Sequence, residues 1–129
     1  MKYLNQHAMI TGGSSGIGKA VAKLLVQQGA NITLIARDRQ KLTQAQEEIK
    51  QVIVNQTQQI NIATADVAER AAITSVIEQA IATLGAPNLL ITSAGIAHPG
   101  YFSEIPLEMF EHTMAVNYFG SLYSVKAVL

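Results

Sequence analysis

The sequence predicts an α/β fold built on a parallel, doubly wound sheet with helices on both of its faces. Short apolar runs alternate four times with longer amphipathic runs, and no internal repeat or linker interrupts the series. The apolar runs lack polar alternation, which is typical of strands buried on both faces. Glycines cluster directly after the first apolar run, in I-T-G-G-S-S-G-I-G-K-A at residues 10–20. We therefore expect one domain over residues 1–129, with four strands in the order 3-2-1-4.

The first half of the chain supplies two strand–helix units. His7 to Thr11 is predicted as a strand that ends at the glycine loop. From Ile17 the apolar residues recur at helical spacing, and this helix should stop at Gly29. The run N-I-T-L-I-A at 31–36 predicts the second strand, and a polar, glutamine-rich helix should follow from Arg39 to about Asn55.

The second half repeats the pattern. The run I-N-I-A-T-A-D-V at 60–67 predicts the third strand, and Glu69 to Leu84 predicts the third helix. The run N-L-L-I-T-S-A-G at 88–95 combines the fourth strand with its exit loop, and a last helix should begin at Pro106. The first and fourth strands should flank the point where the winding reverses, beyond whose strand ends ligands bind. The fourth strand should also form an apolar edge of the sheet.

Composition excludes several classes of function. Basic and acidic residues balance at nine each, which argues against a broad nucleic-acid surface. The absence of cysteine excludes disulfides and thiol catalysis, and three scattered histidines give no metal-ligand spacing. No apolar run approaches the ~18 residues that a membrane span needs, and the N-terminus lacks the apolar core of a signal peptide. We therefore expect a soluble, cytoplasmic protein without a metal site.

The glycine loop is compatible with two chemistries. Residues 12–16 spell G-x-S-x-G, the turn that presents a serine nucleophile in hydrolases. The spacing of Gly12, Gly16 and Gly18 instead suits a dinucleotide, because these glycines permit a tight turn, a close backbone approach to pyrophosphate and close helix–strand packing. A hydrolase has no need of Gly18, and it requires an acid and a histidine from later strands. The spacing therefore favours dinucleotide binding.

Four motifs resemble the short-chain dehydrogenase/reductase family, whose fold is a Rossmann-type sheet. T-G-G-S-S-G-I-G is similar to its glycine motif, and Asp66-Val67 is similar to its pair beside the adenine ring. Ser93-Ala94-Gly95 resembles its Asn-Ala-Gly turn, with a serine where the family has an asparagine that braces the central strands. Asn117, in M-A-V-N-Y-F-G-S, resembles the asparagine of its catalytic tetrad.

The loop motif and the resemblance together define a predicted coenzyme site. The residues assigned to it are Gly12, Ser14, Ser15, Gly16, Ile17, Gly18, Arg37, Lys41, Asp66, Val67, Ala94 and Gly95.

The end of the second strand indicates which nicotinamide coenzyme is used. Ala36 occupies the position where an NAD site carries an acid, and Arg37 follows it. Lys41 lies one helical turn later, so the two cations suit a ribose 2′-phosphate, to which Ser14 can add a hydroxyl. Asp38 is the counter-argument, because an acid two residues late could still reach the ribose. The pattern favours NADPH.

The resemblance implies carbonyl reduction, with a tyrosine as proton donor and a lysine that lowers its pKa. In the family these residues form Tyr-x-x-x-Lys on the helix after a fifth strand, where a serine also holds the carbonyl. The 129 residues do not contain that arrangement. Tyr123 and Lys126 are spaced Tyr-x-x-Lys and are interpreted as residues of a helix surface or subunit contact. We therefore expect an incomplete domain that binds nucleotide without catalysing reduction alone.

Three segments resemble the 3-ketosphinganine reductase branch of the family most. They are A-R-D-R-Q-K-L, Y-F-S-E-I-P-L-E-M-F-E and N-Y-F-G-S-L-Y. Reduction of a small ketone, a 3-keto lipid precursor, is thus the favoured function. The alternatives are a 3-ketoacyl thioester reductase, a nucleotide-binding module without chemistry and, last, a hydrolase fragment. The resemblance also implies a homodimer, in which the last helix pairs with its twin.

The last helix and the loop before it carry further candidates. Five residues at helical intervals predict a core-facing stripe: Phe110, Met114, Asn117, Ser121 and Val128. The amide of Asn117 either bonds to a neighbouring backbone or, as the resemblance implies, orders a water in a proton relay. A second set predicts an apolar surface for dimer contact: Tyr118, Phe119, Leu122, Tyr123 and Val125. His98 and Tyr101 are candidates for the mouth of a substrate site.

Overall fold

A computed structural model describes all residues 1–129 and shows four strands alternating with helices. The strands are β1 (His7–Thr11), β2 (Asn31–Ala36), β3 (Ile60–Thr64) and β4 (Leu89–Thr92). The helices are α1 (Gly16–Gln27), α2 (Arg39–Lys50), α3 (Arg70–Leu84), α4 (Leu107–Met114) and α5 (Gly120–Val128). A π-helical turn, Ala115–Phe119, joins α4 to α5 without a break in the helical path.

The strands form one parallel sheet in the order β3-β2-β1-β4, which confirms the predicted order. Thr11 at the end of β1 is level with Ile35 of β2 on one side and with Thr92 of β4 on the other. The loops that leave these three strands therefore emerge side by side at one edge of the sheet. β4 forms the outer edge, as expected.

A hydrophobic core lies on each face of the sheet. Ile10 and Leu34 point toward α1 and α2, whereas Met9 and Ile35 point toward α3 and the last helix, and all four are fully buried. Successive side chains on a strand point to opposite faces, so a strand covered on both sides needs apolar residues throughout. The unbroken apolar runs of β1 and β2 meet this need.

One helix and one strand are shorter than predicted. The helix expected to reach about Asn55 ends at Lys50, and the strand expected to reach Val67 ends at Thr64. The segment after α2 turns because the side-chain oxygen of Gln58 accepts bonds from the N–H groups of Val54 and Asn55, at 2.7 and 2.9 Å. The amide nitrogen of Gln58 donates to the carbonyls of Val26, in the last turn of α1, and Ala30, directly before β2, which fixes this turn against the core.

The core-facing stripe predicted for the last helix was wrong. Met114 is 52% exposed and Asn117 is also exposed, while Phe110, Ser121 and Val128 are half-buried. The residues that are buried there are Val116, Gly120 and Ser124. Met114 precedes the π turn, so the predicted stripe departs from the buried face already in α4, and the turn then rotates the later positions relative to a continuous α-helix.

The apolar surface predicted on this helix is present except at one position. Tyr118, Phe119, Leu122 and Val125 are between 40% and 56% exposed. Tyr123 is half-buried and packs against the core on the α3 face. None of the helices has both the length and the apolar character needed to cross a bilayer.

Candidate coenzyme site

A crevice of about 920 Å³ opens at the carboxyl ends of β1, β2 and β4. All twelve residues assigned to coenzyme binding from the sequence line it. Ala36, Asp38 and Ser93, which the sequence analysis discussed without assigning them to coenzyme binding, also line it. The lining residues that the sequence did not single out are Ile35, Arg39, Gln40, Ala65, Ile96 and Val116. The crevice lies where the sheet reverses its winding, the usual position of a nucleotide in such folds. No three His, Asp or Glu side chains are grouped so as to hold a metal ion.

The glycines of the loop after β1 leave room for a ligand and for close packing. Gly12 has φ +72°, and a Cβ there would lie 2.6 Å from the main-chain nitrogen of Ala94. A Cβ on Gly18 would overlap the carbonyl oxygen of Gly12 and the hydroxyl of Ser93. Gly16 has φ +57°, and apart from its own neighbours along the chain and helix no atom lies within 4 Å of the position of its Cβ. The loop is therefore tight at both ends and open at Gly16, where a pyrophosphate can approach the backbone.

The start of α1 supplies unused hydrogen-bond donors to this opening. Ser15 is the N-cap, but its side chain makes no capping bond, and the first turn contains no acidic residue. The first N–H groups of a helix have no partner within the helix and carry a partial positive charge. The first N–H groups of α1 lie beside Gly16, so this part of the crevice suits an anionic group such as a pyrophosphate.

Ser93 braces β4 against β1, although the family residue is asparagine. Its hydroxyl donates to the carbonyl of Thr11 at 2.7 Å, and its main-chain N–H donates to the same oxygen at 3.0 Å. The serine thus keeps the link between β1 and β4. The small side chain also fits beside Gly18, where space is limited.

Beyond β2 the crevice is basic. Arg37 and Lys41 are exposed and line it, and Arg39 adds a third cation. Asp38, the one acid of this segment, is the N-cap of α2. Its Oδ1 accepts the main-chain N–H groups of Gln40 and Lys41, at 3.0 and 3.2 Å. An acid directly before a helix is a capping signal, so this role was readable from the sequence.

The opposite wall is formed by Asp66 and Val67 after β3. Oδ1 of Asp66 accepts the main-chain N–H of Ala68 at 2.9 Å, and its carbonyl accepts that of Glu69. These bonds fix the turn between β3 and α3. Val67 is only 5% exposed and belongs to the core on the α3 face, so it forms a rigid apolar wall of the crevice.

Asn117 holds the loop that closes the crevice after β4. Its Oδ1 accepts the main-chain N–H of Ile96, and its Nδ2 donates to the carbonyl of the same residue, both at 2.9 Å. Its Oδ1 would lie 3.2 Å from a Cβ on Gly95, so the loop passes close to the amide. The backbone-bonding role considered for Asn117 is therefore present, with Ile96 as the partner. The Ile96 partner had no signal in the sequence.

The remaining candidates lie away from the crevice. His98 and Tyr101 are exposed on the loop between β4 and α4, and neither lines it. Tyr123 and Lys126 on α5 do not line it either, and Lys126 is exposed. The crevice is thus built mainly by the loops that follow the four strands. The last helical segment contributes Val116 to its lining and Asn117 to the support of the loop after β4.

The fold and the site together define a dinucleotide-binding protein of the doubly wound α/β class. A family model described as short chain dehydrogenase matches residues 6–129, and the chain belongs to this family of oxidoreductases, the short-chain dehydrogenases/reductases. Membership implies a nicotinamide coenzyme. The solved structure of a short-chain dehydrogenase/reductase from Mycobacterium ulcerans superposes over 98% of this chain and 46% of its own, with TM-score 0.91 and 25% identity. A citronellol catabolism dehydrogenase from Pseudomonas aeruginosa superposes over 98% of this chain and 50% of its own, with TM-score 0.88 and 26% identity.

Curated proteins of similar sequence include reductases of 3-ketosphinganine. The chain is 41% identical to the 3-dehydrosphinganine reductase of Danio rerio, over all of this chain and 39% of the relative. It is 40% identical to the 3-ketodihydrosphingosine reductase of Bos taurus, over 95% of this chain and 37% of the relative. The resemblance drawn from the three segments is thereby confirmed. The chain spans about two fifths of the length of these relatives.

Proposed function

We propose that this chain is the coenzyme-binding part of an NADPH-dependent reductase that acts on a 3-keto sphingoid base such as 3-ketosphinganine. The observation that carries the proposal is the 40–41% identity to 3-ketosphinganine reductases over 95% or more of the chain. The lining of the crevice supports it, because every residue assigned to coenzyme binding from the sequence lies there.

The preference for NADPH is supported by the role of Asp38, which caps α2. A carboxylate that accepts hydrogen bonds from ribose hydroxyls selects NADH. The Oδ1 of Asp38 already accepts two main-chain N–H groups of α2, and Ala36 offers no polar group. The cations of this end of the crevice are Arg37, Arg39 and Lys41, and a guanidinium binds a phosphate through paired donors.

When bound, the nicotinamide coenzyme supplies the hydride for carbonyl reduction. The residues of this chain bind and position the coenzyme. The free N–H groups at the start of α1 bind the pyrophosphate, and Arg37 with Lys41 binds the 2′-phosphate. Val67 and Ala94 bound the adenosine. Asn117 holds Gly95 and Ile96 in place and, in this proposal, orders a water for proton transfer.

The proton donor belongs to the same proposal. In the family it is the tyrosine of Tyr-x-x-x-Lys, and the 129 residues contain no such pair. Removal of a positioned acid costs roughly 10²–10⁴-fold in rate. We therefore expect residues 1–129 to bind NADPH weakly and not to reduce a ketone by themselves.

A comparison of two forms of the protein tests this function. Residues 1–129 and the product of the complete reading frame are assayed for NADPH oxidation with 3-ketosphinganine and with a 3-ketoacyl thioester. We expect turnover of 3-ketosphinganine by the longer form alone. Preference for the thioester would favour a 3-ketoacyl reductase, and binding without turnover by either form would favour a nucleotide-binding module. Equal rates for the two forms would show that Tyr123 and Lys126 must be reconsidered as the proton donor pair.

Assembly and location complete the proposal. The exposed apolar side chains of Tyr118, Phe119, Leu122 and Val125 support a homodimer that pairs the last helices of two subunits. The absence of cysteine agrees with a reducing compartment, and the proposed location is the cytoplasm.

A further inference from the structure

Gly120 is an unusual residue for its place in the fold. It is buried within the final helical segment, at the junction of the π turn and α5, with helical φ and ψ of −60° and −43°. Apart from proline, glycine is the least favourable residue inside a helix, and these angles require no glycine. A contact with another part of the chain must therefore account for it.

That contact is with Val67, on the wall of the crevice. A Cβ on residue 120 would lie 2.6 Å from Cγ2 and 3.0 Å from Cβ of Val67. A distance of 2.6 Å does not occur between real side chains, so any larger residue at position 120 would displace either the helix or the valine. The helix is held in place on this side by Val116, Tyr123 and Val128, which pack on the core of the α3 face.

The valine has more room on the side of the crevice than on the side of the core. Behind it lies the core on the α3 face, which includes the fully buried Met9, Ile35, Ile73 and Ile77. Such a core is close-packed and yields little. In front of it lies the open crevice, to which Val67 and Val116 both contribute. A side chain at position 120 would therefore push Val67 into the space of the ligand.

We propose that Gly120 is a positioning residue for coenzyme binding, which acts through Val67. Its missing side chain lets the last helix lie directly against Val67 and keeps this wall in place for the adenosine half of the coenzyme. The inference rests on the proposed function, because it takes the ligand of the crevice to be NADPH. It links the helix that carries Asn117 to the wall opposite the basic end.

The full chain is the material for the test, with Gly120→Ala as the principal variant. Dissociation constants are measured for NADPH by fluorescence and for adenosine 2′,5′-bisphosphate by calorimetry. We expect Gly120→Ala to weaken both by about tenfold, since overpacking of this size is costly. The double variant Val67→Ala/Gly120→Ala lacks the colliding Cγ2 and should recover most of the affinity. Lys126→Ala, an exposed change on the same helix, should bind like the wild type.

Two outcomes overturn the inference. One is wild-type affinity in Gly120→Ala, whatever its melting temperature, because a purely structural role changes stability without changing the affinity of the folded protein. The other is a double variant that folds and binds more than about tenfold more weakly than the wild type. The double variant decides the matter if Gly120→Ala alone does not fold. A wild-type protein that binds neither NADPH nor NADH overturns the proposed function itself, and this inference with it.

Discussion

The hydroxyl of Ser93 donates a 2.7 Å hydrogen bond to the main-chain carbonyl of Thr11, across the junction of β4 and β1. The glycine loop begins at the next residue, Gly12, whose turn passes within contact distance of Ala94. One side chain thus sets the spacing between the two loops that form the floor of the crevice.

Removal of this hydroxyl should weaken the protein by a small, measurable amount. We expect Ser93→Ala to lower the free energy of unfolding by about 1 kcal/mol, since a net hydrogen bond contributes about that much. Urea denaturation measures the change. Ser75→Ala, at an exposed position of α3, is the matched control. Equal stabilities for the two variants would show that the main-chain bond from Ser93 to Thr11 suffices.

Coenzyme preference should depend on Arg37. Arg37→Asp replaces a phosphate-binding cation by an acid, so NADPH binding should weaken by about 10–100-fold, the equivalent of one charge-assisted hydrogen bond. NADH binding should change far less. Fluorescence titration with both coenzymes measures the two effects. Arg70→Asp makes the same charge change outside the crevice and should alter neither. Equal losses for the two coenzymes in Arg37→Asp would contradict the assignment of NADPH.

The pair of bonds between Asn117 and Ile96 makes Asn117→Asp an informative change. The carboxylate can still accept the N–H of Ile96, but it places a negative oxygen against the carbonyl to which Nδ2 donates. We expect a loss of about 1–3 kcal/mol of stability near neutral pH, because an acceptor loses its donor. Gln79→Glu, at an exposed amide of α3, controls for the added charge.

The deficit of Asn117→Asp should also depend on pH. A protonated carboxyl is a donor again, so the difference in stability from the wild type should shrink as the pH falls toward the range in which the introduced carboxylate takes up a proton. Chemical denaturation at several pH values follows this difference. A deficit that stays constant as the carboxyl becomes protonated would contradict the role assigned to the donated bond.

The buried His7 should make stability depend on pH. Burial lowers its pKa below the usual value of about 6.5, while a 2.8 Å bond from Nδ1 to the carbonyl of Gly85 opposes the shift. The unfolded chain therefore takes up a proton at a higher pH than the folded chain. The contribution of His7 to the free energy of unfolding should be fully present above pH ~6.5 and should decrease as the pH falls below it.

Two histidine variants isolate this effect. His7→Gln should flatten the dependence of stability on pH between about 5 and 6.5, where the unfolded histidine titrates. His112→Gln, at an exposed position of α4, should keep the wild-type profile. Urea denaturation at half-unit intervals of pH measures both. The same slope in His7→Gln as in the wild type would assign the effect to other groups.

Dimer formation should depend on the exposed face of the last helix. Leu122→Glu places a charge in the centre of the apolar set, and a buried unpaired charge is strongly unfavourable at an interface. We expect the product of the complete reading frame to sediment as a dimer at micromolar concentration and the variant to sediment as a monomer. Glu111→Gln, at an exposed position of α4, serves as the control. A monomeric wild type would rule out the dimer.

The parts of the structure that local sequence determines were predictable. The bounds of β1 and β2 follow from apolar runs that end at polar residues or glycine, and the observed strands have those bounds. The strand order follows from the strict alternation of strands and helices. The spacing of Gly12, Gly16 and Gly18 predicted the position of the crevice, because each glycine is required for a different steric reason.

Long-range contacts account for most of what was missed. Asn117 bonds to Ile96 and Gly120 lies against Val67, and these partners lie 21 or more residues away in the sequence. The local periodicity of a helix gives no sign of partners so distant in the sequence. The interior glycine was nevertheless a visible sign of close packing. Asp38 is a different case. Its position directly before α2 predicts a helix cap, but the sequence analysis considered it only as a possible ligand of the ribose.

The sheet order dictates when the crevice forms during synthesis. β2 emerges soon after β1 and occupies one of its edges, whereas β4 is complete only once Thr92 has been made. Ser93 and Thr11 are separated by 82 residues, a delay of roughly 4–16 s at usual rates of translation. Throughout that interval the second edge of β1 has no partner, and the glycine loop lacks the wall at Ala94. A nascent chain therefore gains the pairing of its two central loops only with β4, and Val116 and Asn117 complete the crevice later still. A ribosome that pauses before residue 89 prolongs the exposure of an apolar strand edge to other chains.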